Sequence, residues 1–305
     1  MKMKLRAGAA GLALCLLVQP AAAADLEDGM AAVESGNYET ALRLLKPLAE
    51  QGDIKAQYIL GVMYGNGDGV KKDDVKAAAW YRNAAEQGSA AAQNNLGFMY
   101  AKGLGVPEDD GAAVKWYRKA AEQGDDSGQY NLALMYEKGE GVPRDYAEAV
   151  KWYRKGAEQG YANAQFGLAS LYDRGQGVQT DYAEALQWYR KAAELGHVQA
   201  QFNLAVMYDE GQGVPENDAE AVNWYRNAAE QGMPPAQYNL AQMYGQGKGI
   251  PRDFEQAYMW IELAAGAGFS PAIEGRNIVS KMMTSAQITE GRRLAAMWVV
   301  NHPTK

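Results

Sequence analysis

The chain has 305 residues, 48% of them hydrophobic, with 34 glycines, seven tryptophans, thirteen methionines, two histidines, one cysteine and a formal net charge of −7. That length fits two ordinary domains or one repeat array, and the apolar fraction is ample for a core, which excludes a disordered chain. Two histidines and one cysteine leave little material for zinc sites, histidine catalysis or a disulfide scaffold, and the acidic balance argues against a nucleic-acid groove.

The first element in chain order reads as an address signal, residues 1–24. Lys2, Lys4 and Arg6 form a basic start, Ala7 to Val18 is apolar, and Ala22-Ala23-Ala24 before Asp25 has the small-residue pattern of a cleavage site. The apolar part is too short to span a membrane as a mature helix. An uncleaved anchor fits less well, because the alanine run interrupts the hydrophobic stretch. Cleavage after Ala24 removes three positive charges and takes the formal charge from −7 to −10. Cys15 leaves with that segment, and Leu14 before it does not suit a lipid-attachment site. The mature chain is then cysteine-free in a compartment that permits disulfides, so packing must hold it together.

Residues 25–55 predict a short helical pair, built on Glu34-Ser-Gly-Asn-Tyr-Glu-Thr-Ala41, that covers the first unit of a repeat array. From 56 to 271 the sequence repeats. Trp80, Trp116, Trp152, Trp188, Trp224 and Trp260 are each 36 residues apart, and Gln57, Tyr64, Gly88 and the pair Gly67/Gly69 recur with the same step. A single globular core does not produce that spacing; six stacked units do.

Each unit reads as two helices. In the third, Gly128, Leu132, Met135 and Tyr136 share one face of a first helix. Gly139 and Gly141 stop that helix and turn the chain, and Pro143 blocks its continuation. Asp145 with Glu148 is a capping signal for the second helix, in which Ala149, Trp152, Tyr153, Gly156 and Ala157 share a face. Asp73 and Asp109 lack the glutamate three residues on, so their caps are expected to be weaker. Residues 272–305 predict two closing helices, the last opened by Thr284 and Gln287. The G-x-G loops follow helices and lack the lysine of a phosphate loop, and Trp-Tyr pairs among alanines read as core and not as sugar platforms.

Asn95-Leu-Gly-Phe-Met-Tyr100, Gly103-Leu-Gly-Val106 and Trp116-Tyr-Arg-Lys-Ala-Ala-Glu-Gln-Gly124 resemble the Sel-one-like repeat family, a relative of the tetratricopeptide repeat. The resemblance covers 56–271 and implies an all-α fold: a right-handed α-solenoid superhelix of antiparallel helix pairs that binds proteins or peptides on its concave face. Exported bacterial members serve as envelope adaptors, regulators or host-interaction factors. A cysteine-rich branch is linked to weak β-lactam hydrolysis, and this chain lacks those cysteines.

With the packing positions set aside, each first helix keeps a stripe that changes from unit to unit, as a recognition surface does. The peptide-binding candidates on it are Asn95, Phe98 and Lys102; Asn131, Leu134 and Lys138; Arg174; Asn203 and Val206; and Asn239. An amide donates and accepts, so a row of asparagines can engage an extended backbone without demanding its sequence. The bland alternative is that each bonds a neighbouring helix.

Catalysis has little support. His197 and His302 lack a recognisable nucleophile motif, and Asp68-Gly69 is a fragment of a calcium loop without its remaining ligands. The expectation is therefore a monomeric periplasmic adaptor or regulator, alternatively a secreted host-interaction factor or a weak cell-wall or β-lactam hydrolase. It takes no metal and no cofactor, has a protein or peptide partner, binds no nucleic acid, and its mature chain does not enter a membrane.

Overall fold

The computed structural model describes residues 20–302. Most of the expected leader, with Cys15, lies outside them. Every regular element among the described residues is a helix. The chain divides into two compact units, the first ending at Glu108 and the second beginning at Asp109.

The first unit contains α1 (Pro20–Glu34), α2 (Tyr38–Glu50), α3 (Ile54–Asn66), α4 (Asp74–Glu86) and α5 (Ala90–Lys102). The second contains α6 (Asp110–Glu122), α7 (Asp126–Lys138), α8 (Tyr146–Glu158), α9 (Ala162–Arg174), α10 (Tyr182–Glu194) and α11 (Val198–Glu210). It continues with α12 (Asp218–Glu230), α13 (Pro234–Gln246), α14 (Phe254–Gly266), α15 (Ser270–Ser280) and α16 (Ser285–Asn301). Within each unit successive helices as far as α15 pack on one another, the arrangement of an all-α solenoid, and α16 packs back on α14 beside α15.

Local chemistry sets the helix ends. Asp53, Ser89, Asp125 and His197 cap the first helices α3, α5, α7 and α11, each side chain accepting the amide three residues on. The second helices start on Asp73, Asp109, Asp145, Asp181, Asn217 and Asp253. The caps at Asp73 and Asp109 form with bonds of 3.0 Å to Lys76 and 2.8 Å to Ala112, as short as the 3.0 Å from Glu148 to Asp145. The reason is that the Glu in the D-x-x-E pattern does not reach back: Glu148 pairs with Lys151 at 3.0 Å, and Glu184 accepts the Trp188 indole N–H at 3.0 Å. Only Thr284 and Gln287 close a reciprocal capping box among the described helices.

The second glycine of each G-x-G step is required twice over. At Gly177 φ is +72°, and a side-chain carbon would lie 2.4 Å from the Tyr146 carbonyl, at the start of the preceding second helix. The loop therefore rests on the previous helix pair through its backbone.

The 36-residue glutamine row is buried and structural. Gln57, Gln93, Gln129, Gln165, Gln201 and Gln237 donate to the carbonyl eight residues earlier, at 2.9–3.2 Å. In three units the carboxamide oxygen is filled by the glutamine thirty residues on: Gln87 to Gln57 at 2.8 Å, Gln159 to Gln129 at 2.8 Å and Gln231 to Gln201 at 2.7 Å. Gln159 and Gln231 also reach the carbonyls of Gly124 and Gly196.

Candidate functional site

The face left on the first helices is built by the tyrosine of each Trp-Tyr pair. Alanines before and after it let the second helix approach closely, and the ring is buried while its hydroxyl emerges between first helices. Tyr153 donates to Glu137 at 2.6 Å, Tyr189 to Asp173 at 3.4 Å and Tyr225 to Asp209 at 3.3 Å. The next first helix supplies an asparagine to the same hydroxyl: Asn203 meets Tyr189, and Asn239 meets Tyr225. In the first unit Asn95 meets Tyr81 in the same manner. Carboxylate, phenol and carboxamide thus form a short relay from one repeat to the next.

Burial raises the tyrosine pKa values, to about 12 for Tyr81 and Tyr189, so these hydroxyls stay protonated donors at neutral pH. Tyr153 and Tyr225 are raised further, first by burial and then by the carboxylates they face. Gly167 takes the asparagine position in α9, where a side-chain carbon would lie 2.8 Å from the Tyr153 ring.

In the first unit Asn95 is half-buried, Phe98 is 47% exposed and Lys102 is exposed, all on α5. In the second unit Asn131 and Leu134 on α7 are half-buried, as are Asn203 and Val206 on α11 and Asn239 on α13. Lys138 and Arg174 are exposed at the ends of α7 and α9, Lys138 at 3.9 Å from Glu140. Asn203 also accepts from Gln199 at 3.1 Å. Asn95, Asn203 and Asn239 thus bond a neighbouring helix, and each of these amides keeps donor and acceptor capacity beyond its tyrosine contact.

Sequence reasoning omitted Glu137, Asp173 and Asp209, which hold one position in three consecutive units. Their signal was the 36-residue step itself; it was missed because charged residues at helix ends read as solvated surface. Asp209 is further engaged by Lys248 at 2.7 Å, which also meets Asp218 at 3.0 Å and Glu216 at 3.3 Å. The hydrogen bonds to Asp209 and Asp218 raise the Lys248 pKa well above the ordinary lysine value.

Three of the repeat tryptophans are packing residues. Trp152, Trp188 and Trp260 are buried, and Lys155 and Lys191 lie 4.1 and 3.9 Å over the Trp152 and Trp188 rings. Among the described residues no group of three His, Cys, Asp or Glu side chains could hold a metal ion, and no helix is long and apolar enough to cross a membrane.

No curated protein matches the chain. Among solved structures it is similar to a Sel1 repeat protein from Oxalobacter formigenes, with 36% identity over 79% of this chain and 96% of that one, and a TM-score of 0.71. It is also similar to c5321, described as a protective antigen present in uropathogenic Escherichia coli strains and displaying an SLR fold. That match has 30% identity over 92% of this chain and 84% of that one, with a TM-score of 0.39. A putative Sel1 repeat protein from Klebsiella pneumoniae matches at 26% identity over 67% of this chain and 99% of that one, with a TM-score of 0.44. The family profile described as Sel1 repeat matches residues 26–53, 54–89, 90–125, 126–161, 162–197, 198–233 and 234–269. The first of these falls on the pair α1 and α2, which lacks the double glycine. With seven matched repeats on an all-α solenoid, the chain belongs to the Sel1 repeat family.

Proposed function

We propose that this chain is an exported periplasmic scaffold or regulator, without enzymatic activity, that holds a peptide segment of an envelope protein against its first-helix face. Sel1 repeat proteins generally mediate protein–protein interaction. The observation that carries the reading is Phe98: a phenylalanine 47% exposed on α5, one helical turn from Asn95 and Lys102. Beside this apolar anchor, the Asn95 amide, held by buried Tyr81, presents hydrogen-bonding groups that are already positioned before binding.

Replacing Phe98, Lys102, Lys138 and Arg174 together by alanine removes exposed groups and leaves the helix contacts intact. The expected result is loss of the crosslinked envelope partner with an unchanged Tm; retention of that partner overturns the assignment. Cell fractionation with N-terminal sequencing is expected to find a periplasmic chain beginning at Asp25, and recovery from the medium would favour a host-directed role for the same surface. No β-lactam turnover is expected, and turnover abolished by a point substitution would favour the hydrolase reading.

A further inference from the structure

The second unit has a groove of about 940 Å³ at its C-terminal end, between the turn after α12, the end of α14 and the last turns of α16. It is lined by Gly232, Gln237, Leu263, Ala267, Trp298 and Val299, with Glu230, Glu262 and Arg292 also at its wall. The Trp298 ring is fixed edge-on to Trp260 at 6.1 Å and stacked on His302 at 4.4 Å.

Gln237 is 2% exposed and belongs to the buried glutamine row. Its amide nitrogen donates to the Ala229 carbonyl at 3.2 Å, but its carboxamide oxygen has no partner among the described residues. The cause is a single letter. Gln87, Gln159 and Gln231 stand at the ends of their second helices and fill this slot in their own units; the corresponding residue at the end of α14 is Ala267. The glycine carbonyl that Gln159 and Gln231 also reach is here that of Gly232, which lines the same groove.

At the one other unit of the second body without the glutamine, Leu195 stands in its place, and the Gln165 oxygen is sealed from solvent. At Ala267 nothing covers the slot. The carboxamide oxygen of an otherwise enclosed glutamine therefore reaches an open, largely apolar groove beside a backbone carbonyl, in a geometry that this chain elsewhere satisfies with the N–H groups of a glutamine.

We infer that this groove is a docking slot for the side-chain carboxamide of a glutamine on a partner polypeptide, which takes the place that Ala267 leaves empty. Its NH2 group donates to the Gln237 oxygen and the Gly232 carbonyl, and its methylenes lie on Ala267, Leu263 and Val299. A neutral group suits the wall: Glu262 is already paired with Arg276 at 3.2 Å, and Glu230 and Arg292 offset each other in charge. The slot is separate from the first-helix face and does not depend on it.

The test is a display library of random linear peptides selected on the wild-type chain and on Ala267→Gln, which fills the slot with the residue the other repeats use. Peptides kept by wild type and rejected by Ala267→Gln are expected to share a glutamine, and changing that glutamine to leucine is expected to weaken binding about tenfold. Ala267→Gln is also expected to raise Tm by about 2 °C, because it satisfies the Gln237 oxygen. The inference is overturned if no peptide separates the two chains, if the separating peptides carry arginine instead or tolerate leucine, or if Tm does not rise. The chain with Phe98, Lys102, Lys138 and Arg174 replaced is expected to hold the same peptides, so failure of the first-helix reading and failure of this one are told apart.

Discussion

Leu195 shows how much one residue decides in a repeat. It stands where Gln87, Gln159 and Gln231 complete the buried carboxamide pair in their units, it is 59% exposed, and it leaves the Gln165 oxygen enclosed without a donor. Leu195→Gln is expected to stabilise the chain by about 1 kcal/mol, read as a higher urea midpoint with an unchanged slope. A midpoint at or below the wild-type value would mean the pair contributes nothing there. His197, two residues on, caps α11 by accepting the Ala200 amide at 3.1 Å and stacks on Phe166 at 4.6 Å. Burial lowers its pKa from the ordinary 6.5, so the unfolded chain takes up this proton at a higher pH than the folded one. The stability it contributes is present above that ordinary value and is lost as pH falls through it toward the folded value. His197→Asn keeps an accepting cap without a titrating group, and a plot of Tm against pH from about 7.5 to 5 is expected to be flatter for it. Superimposable plots would assign the acid sensitivity to other groups.

At the scale of elements, the helix pair was legible and its partner contacts were not. Apolar spacing and G-x-G placed both helices of each unit, because those signals lie within a few residues of one another. The relay from Asp173 and Asp209 through tyrosine to the next asparagine was hidden, because it depends on how a second helix is rotated between two first helices. The asparagines stood out as a row, but their tyrosine partners read as core. The loops separate two costs of replacing glycine. Gly160 has φ +92° with open space around it, whereas Gly177 combines φ +72° with the Tyr146 backbone 2.4 Å from any added carbon. Gly160→Ala is expected to cost about 1 kcal/mol and Gly177→Ala about 3 kcal/mol or more, both measured by urea unfolding. Equal costs would mean that the loop does not bear on the preceding helix.

At the scale of the whole molecule, a repeat array has to end. α16 does this in the second unit by packing on α14, with Gly291 against Tyr258 and Trp298 against Trp260. A chain ended after Ser280 uncovers Tyr258 and Trp260, which are 2% and 4% exposed with α16 in place. It is expected to melt at lower temperature and to bind a hydrophobic dye in its folded state; a monodisperse product with unchanged Tm and no dye binding would show that α16 is no cap. The groove beside Ala267 belongs to this scale as well. The missing glutamine is visible in the sequence, but the open space exists only because α16 crosses α14 without covering that point.

The sequence by itself determined the repeat length, the helices with their stops, the recurring rows of glutamine, alanine and tryptophan, and with them the family. These come from spacing along the chain, and spacing is what periodic packing imposes. Only the tertiary structure decided which polar groups are already satisfied: that Asn95, Asn203 and Asn239 lean on tyrosine hydroxyls, that Asp209 is held by Lys248, and that the Gln237 oxygen lacks the glutamine donor its counterparts have. Hydrogen-bond satisfaction depends on atoms brought within about 3 Å across different helices, a distance the order of residues does not contain.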